Sequence, residues 1–167
     1  MAANTTCIPA ATEALDALWP ALEAWGPAAA LRGSRWGYAA VNTAHVLGIA
    51  LLVGAVVPLN LKLMGAWPGV AREVAARLTV PVAAGGLALA ASAGVLLFSV
   101  RAGEYAATPL FQAKMALVTL GAAAALAGTV GGVHRRGGKA AARTHGAVSL
   151  ACWLGALVCG RFVAFAG

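Results

Sequence analysis

The chain has 167 residues, 61% of them hydrophobic and only 10% charged, and its mean hydropathy of +0.83 excludes an ordinary soluble globular domain. The formal net charge of +7 does not point to nucleic acid, because the basic residues gather in two connections between apolar runs, where they set topology and meet anionic lipid. Cys7, Cys152 and Cys159 form an odd set with no C-x-x-C pair, which indicates neither a disulfide framework nor a thiolate metal site.

The expected fold is all-α: an N-terminal tail over residues 1–35, then a four-helix transmembrane bundle over residues 36–167. Residues 1–14 lack the basic and continuously apolar regions of a secretory leader, so the first span is expected to insert uncleaved. Within 12–26, Leu15, Leu18, Trp19, Leu22 and Trp25 recur at near-helical spacing with Glu13, Asp16 and Glu23 between them. That pattern predicts an amphipathic segment, broken at Pro20, which lies on the bilayer interface or caps the bundle.

Four apolar runs follow, at about 37–60, 78–100, 109–132 and 145–165, each near the ~20 residues that cross a ~30 Å hydrocarbon core. All four should be helices, since a lone span must satisfy its own backbone hydrogen bonds. Pro58 and Pro81 fall near the expected span ends, where proline disrupts least. The connection after the first span carries Lys62, Arg72 and Arg77 against Glu73, and the one after the third carries Arg135, Arg136, Lys139 and Arg143 with no acid. The positive-inside rule then expects both basic loops in the cytoplasm and both termini outside. Small residues crowd the later spans, and Gly128-x-x-x-Gly132 has the spacing of a helix-crossing motif.

Against this apolar background three ionisable residues stand out: His45 in the first span, Lys114 in the third and Arg161 in the fourth. A charge in hydrocarbon costs at least about 2.5 kcal/mol, so such residues default to functional candidates. With a rise of about 1.5 Å per residue, all three fall in one layer, about 6–12 Å below the outer surface. Asn42 lies one turn outward of His45, and Gln112 and Met115 flank Lys114. Lys114 and Arg161 are close enough to span ends to snorkel, whereas His45 is too short and must hydrogen-bond another helix or bind something. A second group, His134, Arg135, Arg136, Arg143 and His145, surrounds the last loop. It reads either as a solvated basic loop or as a site where His134 and His145 share a ligand.

Two cofactors suit these residue types. In b-type haem, imidazole coordinates the iron and cations neutralise the propionates, with His45 and His134 as candidate iron ligands, Met115 as a partner for His45, and Gly48 leaving room for a flat macrocycle. A quinone headgroup needs only a histidine, an amide and a cation within hydrogen-bonding reach. The chain has no Ser/His/Asp set, no H-E-x-x-H, no phosphate-binding glycine loop and no carboxylate pair, so independent enzymatic turnover is not expected. The alternatives are a structural or accessory subunit that packs its small-residue faces against other membrane subunits or its own copies, and transport of a metal or small solute.

The stretches HVLGIALLVG from His45, FQAKMALVTL from Phe111, VHRR from Val133 and AVSLACWLGALVCGRFVAF from Ala147 resemble a bacterial family of small four-span membrane proteins known only as a domain of unknown function. The likeness covers roughly residues 20–167 and implies His45, Lys114, His134 and Arg161 as the positions of interest, without including His145. The chain departs from the family pattern at Asn42, where an acidic residue is usual, and in the alanine- and glycine-rich third span, where an asparagine is usual. At the level of fold alone it is similar to diheme b-type quinone-linked cytochromes, which are also four-helix bundles.

Overall fold

A computed structural model describes residues 17–132, 138–163 and 165, and among these every regular element is a helix. The first, α1, covers 17–23, followed by α2 (Gly26–Gly33), α3 (Arg35–Met64), α4 (Arg72–Val100), α5 (Ala102–Ala107), α6 (Pro109–Val130) and α7 (Lys139–Val163). Four of them, α3, α4, α6 and α7, are long and apolar enough to cross a bilayer. The molecule is therefore an all-α membrane-type four-helix bundle with short helices gathered at one end. That end, carrying α1, α2 and α5, is called the cap end below, and the opposite one the loop end.

The long helices overrun the expected spans mainly at the loop end. Residues 61–64 and 72–77 are helical because local hydrogen bonding, not hydropathy, sets where a helix stops. At the start of α3, Ser34 accepts a hydrogen bond from Gly37 N at 3.0 Å, a standard N-cap. At its end Gly65 takes φ +117° and returns its N–H to the last turn, a conformation in which glycine has no Cβ penalty. Lys62 is buried there and donates from Nζ to Trp67 O at 2.7 Å and Ala66 O at 3.3 Å, while Arg143 Nε donates to Met64 O. These two cations satisfy carbonyls that the helix end leaves open. Because α4 starts at Arg72, Pro81 lies more than two turns inside it, not near its end.

The tail also differs from expectation. Helix α1 runs through Pro20, which the first turns of a helix tolerate, and the break falls at residues 24–25, before the Gly26–Pro27 start of α2. Of the two expected placements, the described part of the segment takes the second. Glu23 Oε1 accepts from Gly103 N at 3.0 Å, and Arg32 donates to Glu23 O and Val100 O, so α1 is fastened across the bundle's cap end.

The long helices run antiparallel, in the spatial order α4, α3, α7, α6. Two crossings are so close that only glycine fits. A Cβ on Gly48 would sit 2.5 Å from Ala90 N, and one on Gly86 would sit 2.6 Å from Leu52 N, so α3 and α4 touch backbone to backbone. Between α3 and α7, a Cβ on Gly146 would sit 2.8 Å from Asn60 O, and beside it Asn60 Nδ2 donates to Ser149 Oγ at 3.1 Å with both residues buried. Close backbones and an interhelical polar bond are how spans associate where lipid removes the hydrophobic driving force. Gly128-x-x-x-Gly132 is not a crossing motif: α6 ends at Val130, and Gly132 lies beyond it at φ +68°.

Helices α4 and α6, the two ends of the row, do not pack along their lengths. At the cap end the Phe98 and Phe111 rings stack at 5.2 Å between them. The bundle is thus a four-helix ring with one side left open.

Candidate functional site

The open side holds a cavity of about 370 Å³ lined by all four long helices and by Trp19 of α1. Ligand sites commonly fall in this size range. His45 and Lys114 both line it, together with Met115, and among the described residues no acid does.

His45 is fixed by α4. Its Nδ1 lies 2.7 Å from Ala90 O, and since a carbonyl can only accept, Nδ1 carries the proton and Nε2 of the neutral ring keeps its lone pair. The ring lies along Gly94, where a Cβ would come within 3.1 Å of Cε1. Placement of the imidazole therefore depends on a glycine one turn beyond the residue that holds it. The crossing at Gly48 brings Ala90 close enough to do so, which also removes the space expected at Gly48 for a macrocycle: that face of α3 is filled by α4.

Lys114 reaches the cavity from α6. Its aliphatic stem passes Gly160 of α7, where a Cβ would lie 3.4 Å from Cε, and Nζ stands 5.9 Å from the Phe111 ring centroid. The aromatic face offers partial compensation for the ammonium. The cavity wall otherwise consists of aliphatic, aromatic and sulfur-bearing side chains. A cation and an imidazole lone pair thus share one apolar chamber, an arrangement suited to a guest with an acceptor, a hydroxyl and an apolar body.

The other expected residues lie elsewhere. Asn42 is exposed and does not line the cavity, because three residues fall short of a 3.6-residue turn and leave it about 60° around α3 from His45. Arg161 is exposed on α7 with its guanidinium 4.9 Å from the Phe165 ring, turned away from the layer it was expected to share with His45. Gln112 donates to Ala106 O at 2.9 Å. His134, Arg135 and Arg136 lie outside the described residues. His145 lines a second cavity of about 270 Å³ nearer the loop end, with Asn60 and Ser149, so it does not join His45. Cys152 is buried, Cys159 is partly so, and both are free thiols.

Several residues matter that sequence reasoning did not single out. Trp153 lines both cavities, is buried, and has an indole Nε1–H with no acceptor among the described residues. Its ring presses on α6 where Gly121 makes space: a Cβ there would sit 2.9 Å from Cε2. The available signal was its position in mid-span, since membrane tryptophans otherwise favour the interfaces. Phe98, Tyr105 and Phe111 join Trp19 of the expected amphipathic segment in an aromatic cluster at the cap end of the first cavity, with Trp19 edge-on to Phe98 at 5.9 Å and Tyr105 at 5.9 Å from Phe111. Burial, with Tyr38 alongside, pushes the Tyr105 phenol above its ordinary value.

No family model matches the chain, and no curated protein or solved structure matches it significantly.

Proposed function

We propose that this protein binds a membrane-dissolved quinone in the cavity between α4 and α6, and serves as a small electron-transfer component of the bacterial inner membrane. The observation that carries the reading is the pairing of Lys114 with a His45 whose Nδ1–H is already spent on Ala90 O. The ammonium can donate to a quinone carbonyl, and Nε2 can accept from the hydroxyl of the reduced quinol, so both oxidation states find a partner. The route of access supports an apolar ligand. Aromatic side chains gather at the cap end, whereas Val95, Met115 and Leu157, which line the cavity, are large apolar side chains that remain exposed. By the positive-inside rule the loop end is cytoplasmic and the cap end external, which places the headgroup in the outer leaflet.

One observation favours a second reading, b-type haem. Holding Nδ1 on a backbone carbonyl is how ligating histidines are commonly oriented, and Met115 lines the same chamber. Protein purified in mild detergent separates the two. The expected result is an organic extract containing quinone, lost in H45A and K114M, with no Soret band. A Soret band without quinone would establish haem instead, and neither signal would refute both.

A further inference from the structure

The second cavity adjoins the first across packed core residues, Leu52 and Trp153, with Leu87 against them. The two share Leu52 of α3, Leu87 of α4 and Trp153 of α7, and both lie on the open side between α4 and α6. From Phe98 at the cap end to Val80 at the loop end, the combined groove follows α4 for about 27 Å at the helical rise, nearly the thickness of the hydrocarbon core. It narrows once, at the shared residues.

Beyond that constriction the walls change character. Ala83 and Ala84 of α4 face Ala122 and Ala125 of α6, and these short side chains create the space. Asn60 donates to Ser149 and Thr129 Oγ1 donates to Leu126 O, and His145 has a partner of its own, while the Trp153 indole N–H, where the two cavities meet, has no acceptor among the described residues. Beyond that tryptophan the wall is mostly alanine, leucine and valine, which suits a hydrocarbon chain.

Building on the quinone reading, we infer that the second chamber takes the isoprenoid chain of the same ligand, which runs past Leu52, Leu87 and Trp153 toward the loop end instead of leaving sideways into the bilayer. The head is selected by His45 and Lys114, and the chain by the four alanines. Chain length is then a determinant of affinity.

The test uses the full-length protein in lipid nanodiscs and a benzoquinone with four isoprene units, the last carrying a photoreactive diazirine. Adducts mapped by mass spectrometry are expected on the segments holding Ala84, Ala122 and Ala125. A122L, and independently A84L, should reduce those adducts fivefold or more while weakening binding of the same ring with a single isoprene unit by less than twofold. Both substitutions lie about 9–12 Å along their helices from the head site. Adducts confined to lipid-facing residues such as Leu120 and Val130, or absent altogether, would overturn the inference, as would equal loss of the short and long quinones. The head reading fails separately: H45A and K114M that bind the probe as wild type does, with adducts still in the second chamber, would refute it and leave the chain placement standing.

Discussion

Replacing Gly48 with alanine tests whether the α3/α4 crossing governs the site. The new Cβ would stand 2.5 Å from Ala90 N and 2.8 Å from Gly86 O, both backbone atoms of α4 that cannot rotate away. Reaching an ordinary contact of about 3.4 Å requires the helices to part by about 0.9 Å, an overpacking that costs about 1–3 kcal/mol. The helix propensity of alanine returns about 1 kcal/mol, so a net destabilisation of about 0–2 kcal/mol against wild type is expected, and the full overpacking cost of about 1–3 kcal/mol against a Gly-to-Ala control that gains the same propensity. The same displacement moves Ala90 O, now 2.7 Å from His45 Nδ1, to about 3.6 Å, where no hydrogen bond remains. The control is Gly85→Ala, where a Cβ meets nothing within 4 Å. Reversible unfolding by increasing SDS in mixed micelles measures the stabilities, and nitrogen chemical shifts of the imidazole report the tautomer. A G48A protein that unfolds with G85A and keeps the Nδ1–H form would refute the argument.

Three further outcomes follow from the geometry. In a double-mutant cycle, N60A and S149A should couple by about 0.5–2 kcal/mol, since their bond joins buried residues on α3 and α7; additive effects would show that the bond contributes nothing. K62M should lower stability by about 1–3 kcal/mol in the same micelle assay, because Nζ holds the Trp67 and Ala66 carbonyls beyond α3; unchanged unfolding would assign the loop to other contacts. The folded protein holds the Tyr105 phenol above its ordinary value, so the neutral form, and its packing on Phe98 and Phe111, is fully favoured below about pH 10 and is lost as pH rises through the raised value. Tyrosinate absorbance should therefore show a late-titrating component that Y105F removes, and a Tyr105 that titrates at or below pH 10 would contradict this.

The four spans were legible because lipid makes hydropathy nearly the whole signal for a span, and they appear where the apolar runs lie. Depth was legible too: His45 and Lys114 share a level because rise per residue is nearly constant. Azimuth was not. Each span is apolar on every side, so the sequence carries little trace of which face meets a neighbour, and Asn42 and Arg161, expected beside His45, do not line its cavity. The small residues of the later spans were expected to bring backbones close, as Gly86 and Gly146 do, but the sequence did not say which of them sit at a crossing. Gly128-x-x-x-Gly132 has the familiar spacing, yet the contacts fall at Gly48, Gly86 and Gly146, singly or in a pair split between helices. Trp153 had one sequence signal, its position in mid-span away from the interfaces, but its place between two cavities is a property of packing that no local pattern encodes.

The two walls of the groove are held in unlike ways. His45 belongs to α3 and α4, which are locked backbone to backbone at Gly48 and Gly86, and its hydrogen bond spans that pair alone. Lys114 belongs to α6, which packs on α7 and meets α4 at the Phe98–Phe111 stack. Parting α4 from α6 therefore breaks no backbone contact and leaves the imidazole where it is, whereas parting α3 from α4 would do both. If the proposed quinone enters from the bilayer, it would widen the groove by displacing α6 while its head meets an imidazole already set in position, and preorganisation of that kind reduces the cost of binding. On that proposal the open side of the bundle is the part of the fold that binding would use, and the tight glycine crossing between α3 and α4 would keep the opening from disturbing His45.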